Sequence, residues 1–302
     1  MIARSDVLPL IRAALREDAA AHDITSRATI PASRRIRARI IAKASGILAG
    51  GPIAVWTFQA ADPTLRCRLQ AKEGARLAKG QTILTVEGKA RSIFAAERTA
   101  LNVLGHLSGI ATLTRAFVDR VNGTQAKILD TRKTLPGLRA LEKHAVRAGG
   151  GQSHRASLAD ALLIKTNHLR TATHDTRHKT HDLQSLVQNV KKRYPHQPIE
   201  IEVVDLREFD SAFATRPDII LLDNWSNSHI RLAVLRRNTS CVMGHGSWVA
   251  LEVSGGVTLQ NVRAIAATGV DRISIGRLTH SAPSLDLSLQ VVYCGITPIM
   301  KR

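Results

Sequence analysis

Aromatic residues are scarce in this chain: three Trp, two Tyr and five Phe make up 3% of its 302 residues. Surfaces that hold single-stranded nucleic acid stack bases on aromatic rings beside their cations. The formal net charge of +19 invites a nucleic-acid reading, but the cations stand without such rings. In the basic stretch 33–39 (SRRIRAR), Ile36, Ala38 and Ile40 alternate with Arg35, Arg37 and Arg39. That is the pattern of a half-buried strand with a basic outer face. No specific nucleic-acid partner is expected, and the excess charge is assigned to steering small anionic substrates. Cysteine is also rare. Cys67, Cys241 and Cys294 are far apart, odd in number and form no CxxC, which excludes a disulfide framework or zinc knuckle and predicts a reducing compartment. Long apolar runs are missing too. Val7, Ile11, Ala14 and Leu15 keep helical spacing, but Asp6, Arg12, Arg16 and Glu17 interrupt them. A signal-like or membrane-spanning segment is therefore not expected, and the chain reads as soluble and cytoplasmic with no membrane partner.

What is present points to two domains, since 44% hydrophobic residues can fill one large core and a smaller one. After a first helix, Glu17, Asp18, Asp23 and Thr25 form an acidic turn suited to helix capping. Strand 34–42 follows, then a β region in which Leu65, Cys67 and Leu69 alternate with Arg66 and Arg68, punctuated by Gly74, Gly80 and Gly88. It reads as a structural β sandwich. From Ala90 to Val121, Ile93, Phe94, Leu101, Leu104, Leu107, Ile110 and Leu113 recur at threes and fours, the spacing of a helix. Gly105 and Gly109 within it allow close packing or a break. Arg98 on this helix reads, on spacing alone, as a snorkelling surface residue.

Beyond Gly123 short apolar strands alternate with helices: 127–129, 161–164, 199–204, 218–222, 249–253 and 271–275. Each brings a polar or glycine signature: Asp130 to Lys133, Lys165, Glu202, Asp223 with Asn224, Ser254 to Gly256, and Gly276. This is the pattern of a parallel βα barrel, whose functional groups gather at the C-terminal ends of the strands. A doubly wound sheet competes, but no GxGxxG follows the first strand.

The chemistry concentrates between Ile128 and His168. A helix is predicted over 136–147, with Pro136 at its start and the glycines 149–151 past its end. Arg132, Lys133, His154, Arg155 and Lys165 then converge from loops beside two strand ends, a site suited to a highly charged anion. Glu200 and Glu202 share strand parity, so both can point into the barrel. Buried acids there need partners, and an ion-pair network with Lys165 and Arg132 weighs equally with a substrate role. Ser254, Gly255, Gly256 and Gly276 offer two glycine-rich strand ends near helix starts, where backbone amides can hold a phosphate.

Over nearly its whole length the chain resembles the quinolinate phosphoribosyltransferase family. The motifs that carry the resemblance are LREDAAAHDIT, AERTALNVLGHLSGIAT, ILDTRKTLPGLRALEKHAVRAGGG, SHR, LLIKTNH, IEIEVVDL, IILLDN, LEVSGGVTLQNV and ISIGRLTHSAPSLDLSL. It implies an α/β protein of the type II phosphoribosyltransferase kind. An N-terminal α/β sandwich domain (1–115), completed by 280–302, would accompany an incomplete parallel βα barrel (116–279). It implies decarboxylating synthesis of nicotinate mononucleotide from quinolinate and phosphoribosyl pyrophosphate, with Mg2+ entering alongside the latter. A homodimer or dimer-based hexamer with shared active sites is implied as well.

Residue by residue, the resemblance assigns Arg132, His154, Arg155 and Lys165 to the two quinolinate carboxylates, and Lys133 to the junction with pyrophosphate. Arg98 would enter from the partner subunit. Glu202 and Asp223 would hold the ribose hydroxyls, and Ser254, Gly255, Gly256 and Gly276 the 5′-phosphate. Lys133, Lys165, Glu202 and Asp223 form the implied catalytic set, and no side chain is assigned as a metal ligand. Two motifs depart from the family pattern. Gln152 and Ser153 stand where His-Asn is usual, and Thr166 replaces an aspartate, removing one negative charge near the implied metal and pyrophosphate. A third departure is the stretch from His168 to His181, which carries four histidines and reads as a solvated basic loop rather than a metal site. A diverged paralogue, associated with molybdenum transport or using another pyridine carboxylate, and a non-catalytic basic binding protein are the alternatives.

Overall fold

A computed structural model describes residues 2–172, 180–242 and 248–292. The middle of the histidine-rich stretch, 173–179, and Cys294 lie outside the described residues. The chain forms two compact units, Met1–Arg115 with Thr134–Gly150 and Leu278–Arg302, and Ala116–Lys133 with Gly151–Arg277.

In the first unit, helix Arg4–Glu17 buries Val7, Ile11 and Leu15, one apolar residue per turn. An antiparallel sheet runs in the order Leu287–Val292, Arg35–Ala42, Thr82–Lys89 and Arg66–Leu69. The expected basic face is present: Arg35, Arg37 and Arg39 are exposed while Ala38 and Ile40 are buried. Arg37 pairs with Glu87 directly across the ladder at 2.6 Å. Gly46–Ile47 and Arg76–Leu77 pair as a separate two-stranded antiparallel sheet.

The long helix Ala90–Val121 is unbroken, so Gly105 and Gly109 serve close packing. A Cβ on Gly109 would lie 2.1 Å from the Pro283 carbonyl oxygen, and one on Gly105 would lie 3.0 Å from that of Leu285. The Leu285 N–H donates to the Gly105 carbonyl at 2.9 Å. The returning chain thus lies against backbone that only glycine leaves accessible.

Two findings differ from the expected boundaries. Helix Arg139–Ala148 belongs to the first unit, although 134–150 was expected in the barrel. Its ties are local and specific: Glu142, fully buried, meets His106 at 2.9 Å, and His144 meets Glu73 at 2.8 Å. Glu73 in turn accepts the N–H groups of Gly50 and Gly51, where helix Gly51–Ala61 begins. Pro136 also does not start the helix. Gly137 takes φ +79° and the Leu138 N–H returns to the Leu135 carbonyl at 3.1 Å, a turn with Pro second and Gly third that is incompatible with helical continuation.

The second unit is built on six parallel strands: β1 (Lys127–Leu129), β2 (Leu162–Ile164), β3 (Ile199–Val203), β4 (Ile219–Asp223), β5 (Ala250–Ser254) and β6 (Arg272–Ser274). Their order is β1-β6-β5-β4-β3-β2. The barrel is therefore incomplete, and its open seam falls between β1 and β2. A parallel bridge from Leu129 to Gln152 partly fills that seam. Register fixes which side chains share the inner face: Glu252 lies beside Arg272 and Leu221, Glu202 beside Leu221, and Ser254 beside Asp223. Among the described residues no helix is long and apolar enough to cross a membrane.

Candidate active site

Parallel strands present all their C-terminal ends along one edge, and the cations and acids singled out from the second unit gather there. Arg132 and Lys133 follow β1, Lys165 follows β2, Glu202 is the fourth residue of β3, and Asp223 and Ser254 end β4 and β5. Gly276 follows β6 and precedes the short helix Arg277–His280. Arg98 belongs to the first unit, exposed on the helix whose Ile93, Ala96 and Ala100 are buried.

The segment from Gly151 to Arg155 is fastened to the end of β1. Gln152 donates its N–H to the Ile128 carbonyl at 2.8 Å, and Asp130 returns an N–H to the Gln152 carbonyl at 3.1 Å. The Asp130 side chain, fully buried, accepts the His154 N–H at 2.8 Å. Asp130 thus acts as a brace for the loop that carries His154 and Arg155.

Both ring nitrogens of His154 are occupied by protein groups. Nδ1 accepts the Arg155 N–H at 2.8 Å. Nε2 lies 3.0 Å from Glu200 Oε2 and 3.4 Å from Glu252 Oε1. Behind Glu252, Arg272 Nε approaches Oε2 at 2.7 Å. These carboxylates are 2% and 0% exposed, a burial that is tolerable only with compensating charge.

The cluster shares its protons. Burial opposes a charged imidazole, but the hydrogen bonds to Glu200 and Glu252 outweigh it and push the His154 pKa up to about 9. Burial raises the Glu200 pKa. It also opposes ionisation of Glu252, yet His154, Arg272 and Ser274 together hold that carboxyl below the usual range. Glu252 is then the anion and Arg272 its cation. The three ligand-type side chains His154, Glu200 and Glu252 lie within metal-binding distance of one another, but Arg272 already supplies the positive charge at Glu252.

Around this core stand the cations. Arg155 donates through Nη1 to the Ala161 carbonyl at 3.1 Å. Desolvation first, and the neighbouring Arg132 second, lower its pKa. A guanidinium does not lose its proton, and the Glu200 and Asp160 carboxylates work against the shift. Lys165 pairs with Glu202 at 2.8 Å, with their side chains 48% and 15% exposed. The expected ion-pair network therefore divides: Lys165 pairs with Glu202, whereas Glu200 meets His154.

On the other side of the opening, Asn224 donates to the Asp223 carboxylate at 3.1 Å. Its backbone N–H reaches the Ser254 carbonyl at 2.9 Å. Gly255 and Gly256 both take positive φ, +88° and +59°. The turn they form is tied by Asn261, which donates to the Gly256 carbonyl at 2.9 Å. The helix after this turn begins only at Val262, so the amides here belong to a braced turn rather than a helix start.

Sequence reasoning placed Asp130 and Asn224 at strand ends without giving them a role, and it missed two members of this assembly, Glu252 and Arg272. The parity argument applied to Glu200 would have found Glu252, a charged residue between Leu251 and Val253 in a short strand, whereas Arg272 follows Asp271 and carries no such signal.

Comparison with known proteins gives a consistent outcome. The family model described as quinolinate phosphoribosyl transferase, C-terminal domain, matches residues 110–290, and its N-terminal counterpart matches 23–108. The chain is 42% identical over 284 residues to the nicotinate-nucleotide pyrophosphorylase (carboxylating) of Mycobacterium leprae, covering 93% of this chain and 95% of that protein. It is 38% identical over 297 residues to quinolinate phosphoribosyltransferase (decarboxylating) 1b of Nicotiana tabacum, covering 95% and 82%. The solved nicotinate-nucleotide pyrophosphorylase from Francisella tularensis superposes with a TM-score of 0.86 at 37% identity, over 97% of this chain and 98% of that one.

Proposed function

Because the chain belongs to the quinolinate phosphoribosyltransferase family, we infer that it is a decarboxylating pentosyltransferase of NAD biosynthesis. It joins quinolinate to phosphoribosyl pyrophosphate and releases nicotinate mononucleotide, CO2 and pyrophosphate. The observation that carries this reading in the site itself is Arg155, desolvated and crowded by Arg132. Two neighbouring guanidiniums call for a dianion, and a planar dicarboxylate matches their forked donors.

In this reading Arg132, Arg155 and Lys165 receive the two carboxylates, and Lys133, exposed beside them, meets the pyrophosphate. His154 fits differently from the initial assignment: with both nitrogens engaged, it supports the pocket rather than donating to the substrate. Ser254, Gly255, Gly256 and Gly276 supply the 5′-phosphate turn. As pyrophosphate leaves, positive charge develops on the ribose ring, and Glu202 and Asp223 stand at the strand ends to stabilise it while holding the hydroxyls. The pyridine nitrogen attacks the anomeric carbon. The ring carbon beside the new cationic nitrogen then keeps the electron pair of its breaking carboxylate bond, CO2 departs, and that carbon takes a proton.

Glu202 and Asp223 also fit Mg2+, which binds through one or two carboxylates plus substrate phosphates. Bound with phosphoribosyl pyrophosphate, the ion would neutralise the leaving pyrophosphate. The proposed assembly is a homodimer, or a dimer-based hexamer, in which Arg98 completes the partner's site, and the proposed compartment is the cytoplasm. Incubation with quinolinate, phosphoribosyl pyrophosphate and Mg2+ should release CO2 and pyrophosphate in equal amounts. Absence of CO2 from folded protein would sink the assignment.

A further inference from the structure

We propose that Glu252, held by Arg272, is a positioning residue for dicarboxylate binding, which acts by fixing the His154 ring and, through its Nδ1, the backbone of Arg155. The proposal rests on the placement of Arg155 in the quinolinate pocket and goes beyond it, because neither Glu252 nor Arg272 is among the residues assigned to the substrates.

The geometry forms a continuous chain. Arg272 Nε meets Glu252 Oε2 at 2.7 Å, Glu252 Oε1 faces His154 Nε2 at 3.4 Å, and His154 Nδ1 accepts the Arg155 N–H at 2.8 Å. Glu200 holds the same Nε2 at 3.0 Å, and Asp130 holds the His154 N–H at 2.8 Å. His154 is thus held from three elements, its ring by β3 and β5 and its backbone by the end of β1. Arg155 gains orientation without spending its own guanidinium on the scaffold, apart from the one bond to the Ala161 carbonyl.

The ionisation pattern supports a role for Glu252 as the fixed anion. If Glu252 were neutral, Arg272, whose side chain is 26% exposed, would lose the anion it meets at 2.7 Å. The ring would be free to turn or take a second proton at Nδ1, and either change releases the Arg155 backbone. A misplacement of about 1 Å in a binding group is enough to weaken a charge-assisted contact strongly.

The test compares wild type with Glu252→Gln and with the double variant Glu252→Gln/Arg272→Gln, which removes both members of the ion pair and so leaves neither charge without its partner. Quinolinate affinity is measured by calorimetry, and KM for each substrate by CO2 release. Both variants should bind quinolinate roughly tenfold or more weakly, while KM for phosphoribosyl pyrophosphate stays within about twofold. Should the single variant not fold, the double variant decides. Wild-type quinolinate affinity in the folded double variant would overturn the proposal, as would parallel deterioration for both substrates, which marks a general loss of barrel order. A wild-type protein that does not bind quinolinate at all would instead overturn the assigned substrate, and this proposal with it.

Discussion

His154 is where charge, burial and backbone meet, and its titration gives a stability signature with a definite sign. In the unfolded chain its imidazole titrates near 6.5, whereas in the fold the Glu200 and Glu252 carboxylates push its pKa up to about 9. Between these values the folded state binds more protons than the unfolded one, so unfolding free energy must fall as pH rises. Thermal stability should therefore be flat just below pH 6.5 and decline from there to about pH 9, more steeply in wild type than in Glu200→Gln; equal slopes would remove Glu200 from the account. Thr166 offers a second test at this scale. Its Oγ1 is buried with no hydrogen-bond partner among the described residues, at a position where the family pattern has a carboxylate. Thr166→Asp should lower the Mg2+ concentration for half-maximal rate, and a rise would mean that another acid already supplies that charge. The cations of the site were legible in the sequence because loops after strands carry them in runs. Glu252 and Arg272 were not, because a charged residue inside a three- to five-residue strand looks like surface until register places it inward.

Elements with a clear hydrophobic period were readable to within about a residue. Lys127–Leu129, Ala90–Val121 and the basic-faced Arg35–Ala42 fall where their apolar spacing put them. What local pattern did not carry was long-range allegiance. Helix Arg139–Ala148 lies between β1 and β2 in sequence, yet Glu142 and His144 bind it to His106 and Glu73, partners far away in the chain. Pro136 was misread because Gly137 after it takes positive φ and makes the pair a turn. The glycine turn after β5 was legible, and its physical basis gives a prediction. A Cβ on Gly255 would sit 2.1 Å from Asn224 Oδ1, and moving Asn224 breaks its bond to Asp223. Gly255→Ala should cost about 1–3 kcal/mol of stability through backbone strain and raise KM for phosphoribosyl pyrophosphate more than for quinolinate. The reverse ranking would move the 5′-phosphate away from this turn.

At the scale of the whole molecule, the charge of +19 suits two substrates that are both polyanions, whose encounter with the site a positive field accelerates. The same excess of cations bears on Arg98. Arg98 is exposed on the first unit's long helix, beside the half-buried Glu97, and a dicarboxylate held in a second copy's barrel would give it a stronger anionic partner. In a two-fold dimer such an exchange occurs twice. Arg98→Ala and Lys165→Ala, each inactive alone, should then complement when unfolded together and refolded. Every mixed dimer has one site carrying both lesions and one carrying neither. Random pairing makes half the dimers mixed, and half of their sites are intact, so activity should return to roughly one quarter of wild type. Mixed dimers demonstrated by differential tagging, yet without activity, would place Arg98 in its own chain's site or outside catalysis.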